Sequence, residues 1–407
     1  MSAFGRRTLL AGAAMMAAPR VARAAEERPI RIGVLNDPNG VYADNGGLGS
    51  VIAAQLAAED FGGAVLGRKI EVISGDHQNK PDLAAGIARE WIDRQGVDVI
   101  ADGASSAAGL AIQQVTREKQ RIFIITGPAT SDLTGKACSP FGFHFSYDTY
   151  AQAKGTATAL TQNGGESWFF ITADYAFGAA MERDARRFVE QSGGKVLGSI
   201  RHPLGATDFS SYLLAAQSSG AKVIGLCNAG TDTQNTVKQA SEFGIVRGGQ
   251  RLAALVMFIT DVIAIGLPTA QGLVLTTAFY WDRTPATRAW SQRFMAHKPK
   301  PPSMLQAGVY SGVRHYLQAV KDGGTSDPVA TAARMHQTPV NDMNNTNVTI
   351  RADGRLMCAM YLMQVKSPAE SKAPFDVYRE IAAMADGAAF RPASEGGCAL
   401  VASRGTP

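Results

Sequence analysis

The alternation of strand and helix patterns from Arg28 onward constrains the fold of this chain more than any other feature. The apolar run 30–35 predicts a buried strand, and the pattern at 47–61 predicts an amphipathic helix. The order then repeats, with predicted strands at 69–74, 97–101 and 121–125 and predicted helices at 81–94 and 107–119. Such alternation predicts right-handed crossovers that build a parallel sheet.

A second series of the same kind begins after Tyr147. Predicted helices at 150–162, 179–192, 209–218 and 232–243 alternate with predicted strands at 168–172, 195–200, 223–226 and 252–258. The simplest interpretation is an α/β fold with two doubly wound parallel-sheet lobes. The rest is less regular, with predicted strands at 272–276 and 357–365, predicted helices at 285–295 and 306–320, and loops from Lys366.

The N-terminal residues 1–24 have the composition of an export signal. Arg6 and Arg7 precede a short apolar stretch, and Ala22-Arg23-Ala24 is a small-x-small cleavage motif. The arginine pair favours the twin-arginine route, with the general secretion route as the alternative, and either predicts a periplasmic location. Removal of this segment lowers the formal net charge from +5 to +1, which gives no electrostatic reason to expect nucleic-acid binding.

Known catalytic and metal-binding motifs are missing from the sequence. The six histidines are scattered, and no HExxH, GxSxG, P-loop or complete dinucleotide fingerprint occurs. No later run of about 18 apolar residues predicts a membrane-spanning helix. We therefore expect a protein that is not an enzyme and that carries no metal or cofactor, although a triad assembled only in space would escape such a search.

Hydroxyl-bearing loops follow two of the predicted strands. Residues 102–107 (Asp-Gly-Ala-Ser-Ser-Ala) come after one strand, and residues 126–132 (Thr-Gly-Pro-Ala-Thr-Ser-Asp) come after the next. Ligands of open α/β sheets bind at the carboxyl ends of the strands, and hydroxyls beside a helix N-terminus favour a carboxylate. Plain capping of the following helices by Ser or Thr explains the same residues equally well.

The four cysteines form no CxxC pair and lie at no metal-ligand spacing. Cys227 falls within an apolar run, so we expect it to be a buried thiol. Cys138 and Cys398 lie in loops rich in Gly, Pro and Ser, which makes them the better pair for a disulfide in an oxidising compartment.

The order of these motifs resembles that of type I periplasmic solute-binding proteins, and in particular the leucine/isoleucine/valine-binding family of ABC transporters. The resemblance rests on the following motifs: the opening strand Ile32-Gly33-Val34, the serine pair Ser105-Ser106, the loop Pro128-Ala129-Thr130, the turn Asp174–Gly178 and the strand entry Ala270-Gln271-Gly272. It covers approximately Arg28 to Val401. The run Phe279–Asp282 and the ending Ser394–Cys398 resemble a branch associated with aromatic and other organic acids.

The resemblance implies how the chain is divided. Three segments are expected to cross between the lobes, near 146–149, 278–282 and 345–356. One lobe would comprise residues 28–146 and 282–350, and the other 147–281 and 351–407, with closure on the ligand by hinge bending.

The resemblance also implies the ligand-binding residues. Ser106 and Thr130, with Ser105 beside them, would hold a ligand carboxylate, and the Pro128 carbonyl would accept from a ligand ammonium. Tyr175 or Phe177 would supply a ring from the second lobe, and Tyr42 lies in a loop expected to face the cleft. Further aromatic residues are expected in or beside the same loops, namely Tyr150, Phe279, Tyr280 and Trp281, with packing of the hinge as the alternative role for Phe279 and Trp281.

One departure from the family bears on the ligand. Amino-acid binders of this family place a glutamate just before the A-x-G strand, and alignment on Ala270-Gln271-Gly272 puts Pro268 there. A buried ammonium without a partner charge is costly, so the sequence favours a carboxylate without an amine. Asp232 or Asp261 in neighbouring loops remains the alternative partner for an ammonium.

We therefore expect a monomeric extracytoplasmic substrate-binding component that delivers an aromatic or keto acid to an ABC transporter permease. A branched-chain or other amino acid is the alternative ligand. A free sensory protein and an enzyme acting in the cleft are less favoured alternatives.

Overall fold

The computed structural model describes residues 28–402, so the predicted export signal lies outside the described residues. The strands are β1 Ile30–Asn36, β2 Ala64–Val65, β3 Arg68–Asp76, β4 Val99–Asp102, β5 Ile122–Ile125, β6 Gly142–His144, β7 Ser167–Ala173, β8 Lys195–His202, β9 Val223–Cys227, β10 Arg251–Ala254, β11 Val274–Thr277, β12 Met360–Val365 and β13 Tyr378–Met384. The helices are α1 Gly47–Glu59, α2 Pro81–Asp93, α3 Ser106–Glu118, α4 Thr149–Gln162, α5 Ala176–Gln191, α6 Ser210–Ser218, α7 Thr231–Glu242, α8 Ile259–Ile265, α9 Leu267–Ala270, α10 Pro285–Met295, α11 Met304–Gly323, α12 Pro328–Gln337 and α13 Ala399–Ala402.

The first lobe is built on a six-stranded sheet of order β2-β3-β1-β4-β5-β6, which is parallel except for the short β2. Helices α1 and α11 pack together on one face, and α2 and α3 pack together on the other. Burial is nearly complete along β4 and β5, as expected of parallel strands that are covered on both faces. The buried Trp91 ring in α2 fills the space above Gly33 and Gly75, where a side chain would collide with it.

The second lobe is built on a parallel sheet of order β10-β9-β7-β8. Helices α4 and α5 cover one face, and α6 and α7 contribute Phe209, Leu213 and Val237 to the apolar core on the other. The predicted α/β class with parallel sheets is thus confirmed. Among the described residues, no helix has the length and apolar character needed to cross a membrane.

An antiparallel sheet, β11-β12-β13, extends the second lobe and was not predicted. Strand β13 lies in the stretch expected to be loops. Most of its residues are exposed and it pairs only with β12, so it has no apolar alternation by which the sequence could reveal it. The strand predicted at 252–258 ends at Ala254, and residues 255–258 form a buried connection into α8.

The first and third crossing segments meet at a buried arginine that no sequence motif had indicated. Arg355 is fully buried, and its guanidinium donates to the carbonyls of Ser146 and Tyr147 and lies 3.6 Å from Asp148. The backbone of His144 pairs with Gly354 and Leu356 on either side of it. Since the first and third crossings are tied together here, we keep the proposed division into 28–146 plus 282–350 and 147–281 plus 351–407.

The structure joins Cys138 and Cys398 in a disulfide, with 5.7 Å between their Cα atoms. Cys227 and Cys358 are buried free thiols. Burial raises the pKa of Cys358 to about 11.

Candidate functional site

The carboxyl ends of β4 and β5 lie side by side, with Asp102 in register with Ile125. The chain leaves β4 through a strained turn, in which Asp102, Gly103 and Ala104 have φ values of +81°, +94° and +43°. Asp102 is held in this conformation because its buried carboxylate accepts from Asn36 at 2.9 Å and from Thr126 at 3.1 Å. Strained backbone that is fixed in this way is typical of functional sites.

Ser106 joins the two loops. It is the first residue of α3, and its hydroxyl oxygen accepts from the backbone N–H groups of Ala129 at 3.2 Å and Thr130 at 3.1 Å. The neighbouring Ser105 is the N-cap of α3 and accepts from Ala108, while the Thr130 hydroxyl caps the short 3₁₀ turn Ser131–Thr134. Ser105 and Thr130 therefore have the capping role that was the alternative to ligand binding.

Pro128 lies behind the turn rather than in the cleft. Its ring packs against Gly103 and Gly109, at both of which a Cβ would come within 3 Å of it. The nearby His144 is buried, and its pKa is lowered well below the usual range by burial and by the charge of Arg355. This placement gives no support to a contact between the Pro128 carbonyl and a ligand ammonium.

A narrow cavity lies between the lobes, in front of Ser106. Its lining residues are mostly aromatic or small: Tyr42, Ala104, Ser106, Gly127, Ala129, Tyr147, Tyr175, Phe177, Ala229, Phe258 and Leu305. Five of them carry aromatic rings, and none carries an acidic or basic side chain. Of the predicted site residues, Ser106, Tyr42, Tyr175 and Phe177 line this cavity.

The lobes are closed over the cavity. The phenol hydroxyls of Tyr42 in the first lobe and Tyr175 in the second are hydrogen-bonded to each other. Burial raises the pKa of both phenols, so both remain protonated at neutral pH. Closure is also held by the backbone N–H of Thr231, which donates to the carbonyl of Val41 at 3.2 Å.

The two acidic residues considered as partners for an ammonium differ in how they are satisfied. Asp261 accepts from Asn45 at 3.0 Å, Gln234 at 2.8 Å and the N–H of Phe258 at 2.9 Å, so both of its oxygens are occupied. Asp232 is also fully buried, but only its Oδ2 has a partner, the N–H of Gly205 at 3.2 Å. Its Oδ1 has no hydrogen-bond partner among the described residues.

Burial raises the pKa of both carboxyl groups, to about 7 for Asp232 and about 6 for Asp261. Asp232 is not among the residues that line the cavity, but it directly follows Thr231, whose N–H bonds to the carbonyl of Val41 beside Tyr42. Its charge helps to raise the pKa of both Tyr42 and Tyr175. Of the two acidic residues, Asp232 is the one with a carboxylate oxygen that can still accept a hydrogen bond.

Several other predicted site features lie elsewhere. Pro268, which alignment placed at the glutamate position of amino-acid binders, is exposed and does not line the cavity, so the inference drawn from it about an ammonium site is not supported. Tyr150 packs against Phe188, Phe279 packs against Trp290, and Tyr280 and Trp281 pack against each other. For Phe279 and Trp281 this is the packing role that the sequence left open.

Tyr147 and Phe258 line the cavity and were missed. They pack edge to face with ring centroids 5.7 Å apart, and the Tyr147 hydroxyl donates to the carbonyl of Gly127 at 3.1 Å. A signal was available for each, since Tyr147 stands at the first predicted crossing and Phe258 ends a predicted strand. No group of three or more potential metal ligands occurs among the residues that the structure describes.

The chain is a two-lobed α/β protein with a cavity between its lobes, an arrangement typical of proteins that bind a small molecule. The chain matches the model of the family described as periplasmic binding protein over residues 29–372. It therefore belongs to the periplasmic binding protein family, and the predicted resemblance to type I periplasmic binding proteins is confirmed.

Solved structures agree with this assignment. A periplasmic binding protein from Burkholderia mallei is 48% identical and has a TM-score of 0.89, with 91% of this chain and 99% of that chain covered. A branched chain amino acid ABC transporter periplasmic ligand-binding protein from Burkholderia xenovorans is 39% identical, with a TM-score of 0.81 and the same coverage. The protein is thus similar to substrate-binding components of ABC transporters.

A solute-binding protein of an R. palustris ABC transporter, solved in complex with benzoate, has a TM-score of 0.79 and covers 91% of this chain and 99% of its own. At 19% identity this likeness shows the fold alone.

Proposed function

We propose that this protein binds a small aromatic or keto carboxylate in the cavity between its lobes and delivers it, as a periplasmic monomer, to an ABC permease in the inner membrane. The observation that carries the proposal is the cavity itself, in which five aromatic side chains surround a space with no charged side chain in its lining. Flat rings pack well among aromatic side chains, whose Tyr hydroxyls add polar contacts.

The N-terminus of α3 supports a carboxylate at one end of this cavity. Ser106 is the first residue of the 13-residue helix, and the first N–H groups of a helix have no intrahelical acceptor. These donors and the positive end of the helix dipole favour an anion. A carboxylate placed there would meet Ser106 and the strained turn at Ala104, which both line the cavity.

An α-amino acid is the second candidate, because Asp232 offers a buried oxygen without a partner and directly follows Thr231, which bonds to Val41 beside Tyr42. An ammonium group bound there would gain the partner charge that its burial requires. The B. xenovorans relative, described as serving branched chain amino acid transport, agrees with this alternative.

A thermal-shift screen distinguishes the two. Benzoate and short keto acids form one panel, and leucine, valine and phenylalanine form the other. A ligand at 100 times its Kd stabilises the folded state by about 2.7 kcal/mol, which is readily detected. Stabilisation by the carboxylates alone supports the proposal, and stabilisation by the amino acids alone overturns the proposed ligand class.

The variant Asp232→Asn makes the test sharper, because it keeps an oxygen for the Gly205 N–H but carries no negative charge. We expect it to bind the carboxylate as tightly as the wild type or more tightly. Loss of binding would show that the ligand is held through an ammonium. Mass spectrometry of the bound ligand after prolonged incubation tests for turnover, and we expect to recover it unchanged.

A further inference from the structure

The C-terminal segment 385–398 runs from one lobe to the other, in addition to the three crossing segments. It leaves β13 at the antiparallel sheet of the second lobe and ends at Cys398, which is bonded to Cys138 in the first lobe. We call this segment the C-terminal strap.

The start of the strap is held by the second lobe. The Lys154 ammonium in α4 donates to the Ala388 carbonyl at 2.6 Å, and the N–H of Gly387 donates to the Cys358 carbonyl at 3.4 Å. Further along, the Arg187 guanidinium in α5 forms an ion pair with Glu395 at 2.7 Å. Since both side chains of that pair are about two-fifths exposed, it is a weak restraint.

The end of the strap is held by the first lobe. The Arg391 guanidinium donates to the Ser131 carbonyl at 2.8 Å. The strap then packs so closely on Gly135 that a Cβ there would lie 2.7 Å from the carbonyl oxygen of Gly396. The disulfide between Cys138 and Cys398 closes the connection covalently, and both cysteines are buried.

The loop that receives the strap also reaches the ligand cavity. Ala129 lines the cavity, and two residues later Ser131 accepts the hydrogen bond from Arg391. The same loop contacts the second lobe through the Ser131 hydroxyl, which donates to Asp184 in α5 at 3.0 Å. When the lobes separate, α5 in the second lobe moves relative to this loop of the first lobe. The strap is attached to both, to α5 through Glu395 and to the loop through Cys398.

We propose that the C-terminal strap is a fourth connection between the lobes, and that the Cys138–Cys398 disulfide limits how readily the cleft opens. The disulfide fixes the end of the strap to the first lobe covalently, whereas the exposed ion pair between Arg187 and Glu395 is weak and breaks readily. Without the disulfide, the end of the strap detaches from the first lobe and the open form becomes more populated. This inference depends on the two-lobed architecture and not on which ligand binds.

The backbone N–H of Thr231 provides a direct readout of opening, because its acceptor, the Val41 carbonyl, lies in the opposite lobe. Hydrogen exchange at this amide requires its hydrogen bond to Val41 to break, as separation of the lobes would do, and no ligand is needed. Amides of β9, Val223–Cys227, lie in the core of the second lobe and report unfolding instead.

The experiment compares amide exchange in the wild type and in a variant carrying Cys138→Ser and Cys398→Ser, well below the Tm of each. We expect exchange at Thr231 to be at least threefold faster in the variant, with exchange in β9 unchanged. Equal exchange at Thr231, or a parallel increase at Thr231 and in β9, would overturn the proposal, because the disulfide would then only anchor the tail or stabilise the whole fold.

Treatment of the folded wild type with a trialkylphosphine gives the same comparison without any substitution, in case the variant does not fold. The phosphine is oxidised to its oxide, with the oxygen and the two thiol protons supplied by one water molecule, while the disulfide is reduced to two thiols. Alkylation of the freed thiols followed by mass spectrometry verifies that the buried Cys138–Cys398 bond has been reduced. Exchange at Thr231 should rise as in the variant, and the reagent should leave the variant itself unaffected. A rise of the same size in the variant would show that the reagent acts elsewhere and would count against the proposal.

Discussion

At the scale of the residue, Ser106 and Asp232 are the polar groups that matter most for the cavity, and they act in different ways. Ser106 holds two backbone N–H groups with one hydroxyl oxygen and thereby fixes the relative position of two loops. Asp232 is buried with one oxygen unpartnered, which makes it costly to ionise. Ser106 organises the cavity wall, and the buried carboxyl of Asp232 leads us to expect a pH-dependent contribution to stability.

Replacement of Ser106 by alanine should weaken ligand binding about 10- to 100-fold. The change leaves the N–H groups of Ala129 and Thr130 without their acceptor and removes a hydroxyl beside the ligand, and a lost hydrogen bond to a charged group costs about 1.5–3 kcal/mol. Isothermal titration calorimetry with the ligand from the screen measures the effect. The matched control is Ser105→Ala, which removes only a helix cap and should lower stability by about 1 kcal/mol without changing affinity.

The contribution of Asp232 to the stability of the protein should fall as the pH rises from about 4 to about 7. The pKa of Asp232 is about 7 in the folded state, against ~3.9 for an exposed aspartate, so in this window the folded state retains a proton that the unfolded chain has released. The variant Asp232→Asn has no such group. It should exceed the wild type in unfolding free energy by roughly 2–4 kcal/mol at pH 8 and by little at pH 4.

Urea unfolding of both proteins at the two pH values measures this difference. His202, whose Nδ1 lies 4.0 Å from Asp232, has a pKa lowered by burial, so its own contribution to stability rises with pH. It is present in both proteins and therefore cancels in the comparison. A constant difference between the variant and the wild type across the pH range would contradict the prediction.

At the scale of the element, the turn between β4 and α3 decides the shape of the cavity wall. It is packed directly against the loop after β5, since a Cβ on Gly127 would lie 2.6 Å from the Cα of Ala104. Both residues line the cavity. Glycine is therefore required at position 127 for the close approach of two backbones.

The variant Gly127→Ala should fold but lose measurable ligand binding, because the added methyl group pushes the Ala104 turn away from the start of α3. Thermal shift with and without ligand measures both effects. A suitable control is Gly86→Ala, because Gly86 lies within α2 and an added methyl group there would have nothing within 4 Å. This control variant should be up to about 1 kcal/mol more stable than the wild type. Wild-type affinity in Gly127→Ala would show that the turn tolerates displacement.

At the scale of the whole molecule, the buried Arg355 connects the first and third of the crossing segments that join the lobes. Its charge faces Asp148 at 3.6 Å and lies 4.3 Å from the ring centroid of Phe390, at the start of the C-terminal strap. Burial lowers the pKa of Arg355 and raises that of Asp148, so each group depends on the other to remain charged. The Arg355 guanidinium thus contacts both the first crossing segment, through Asp148, and the C-terminal strap, through Phe390.

The variant Arg355→Met should lower the unfolding free energy by about 3–5 kcal/mol, because it leaves Asp148 buried without a partner charge. Denaturant unfolding measures the loss. Arg89→Met provides the comparison, since Arg89 pairs with Glu118 on the surface and its replacement should change the midpoint only slightly. Equal losses in the two variants would mean that the buried pair contributes no more than a surface pair.

The sequence by itself determined the α/β class, the order of most strands and helices, the family, and the position of the hydroxyl-bearing loops at the carboxyl ends of β4 and β5. These follow from periodicity and from short motifs, which are local properties of the chain. It also indicated which cysteines lie in loops where they can meet. Strand β13 escaped detection, because its partner β12 and not its own pattern makes it a strand.

Only the tertiary structure decided which side chains face the ligand cavity. Ser105 and Ser106 are adjacent and chemically identical, yet one caps a helix and the other joins two loops, because the strained turn at Asp102–Ala104 aims them differently. Tyr147, Phe258 and Arg355 gain their roles from contacts with residues far away in the chain. Local pattern fixes which element a residue belongs to, whereas the direction of its side chain and its partners depend on how the elements pack.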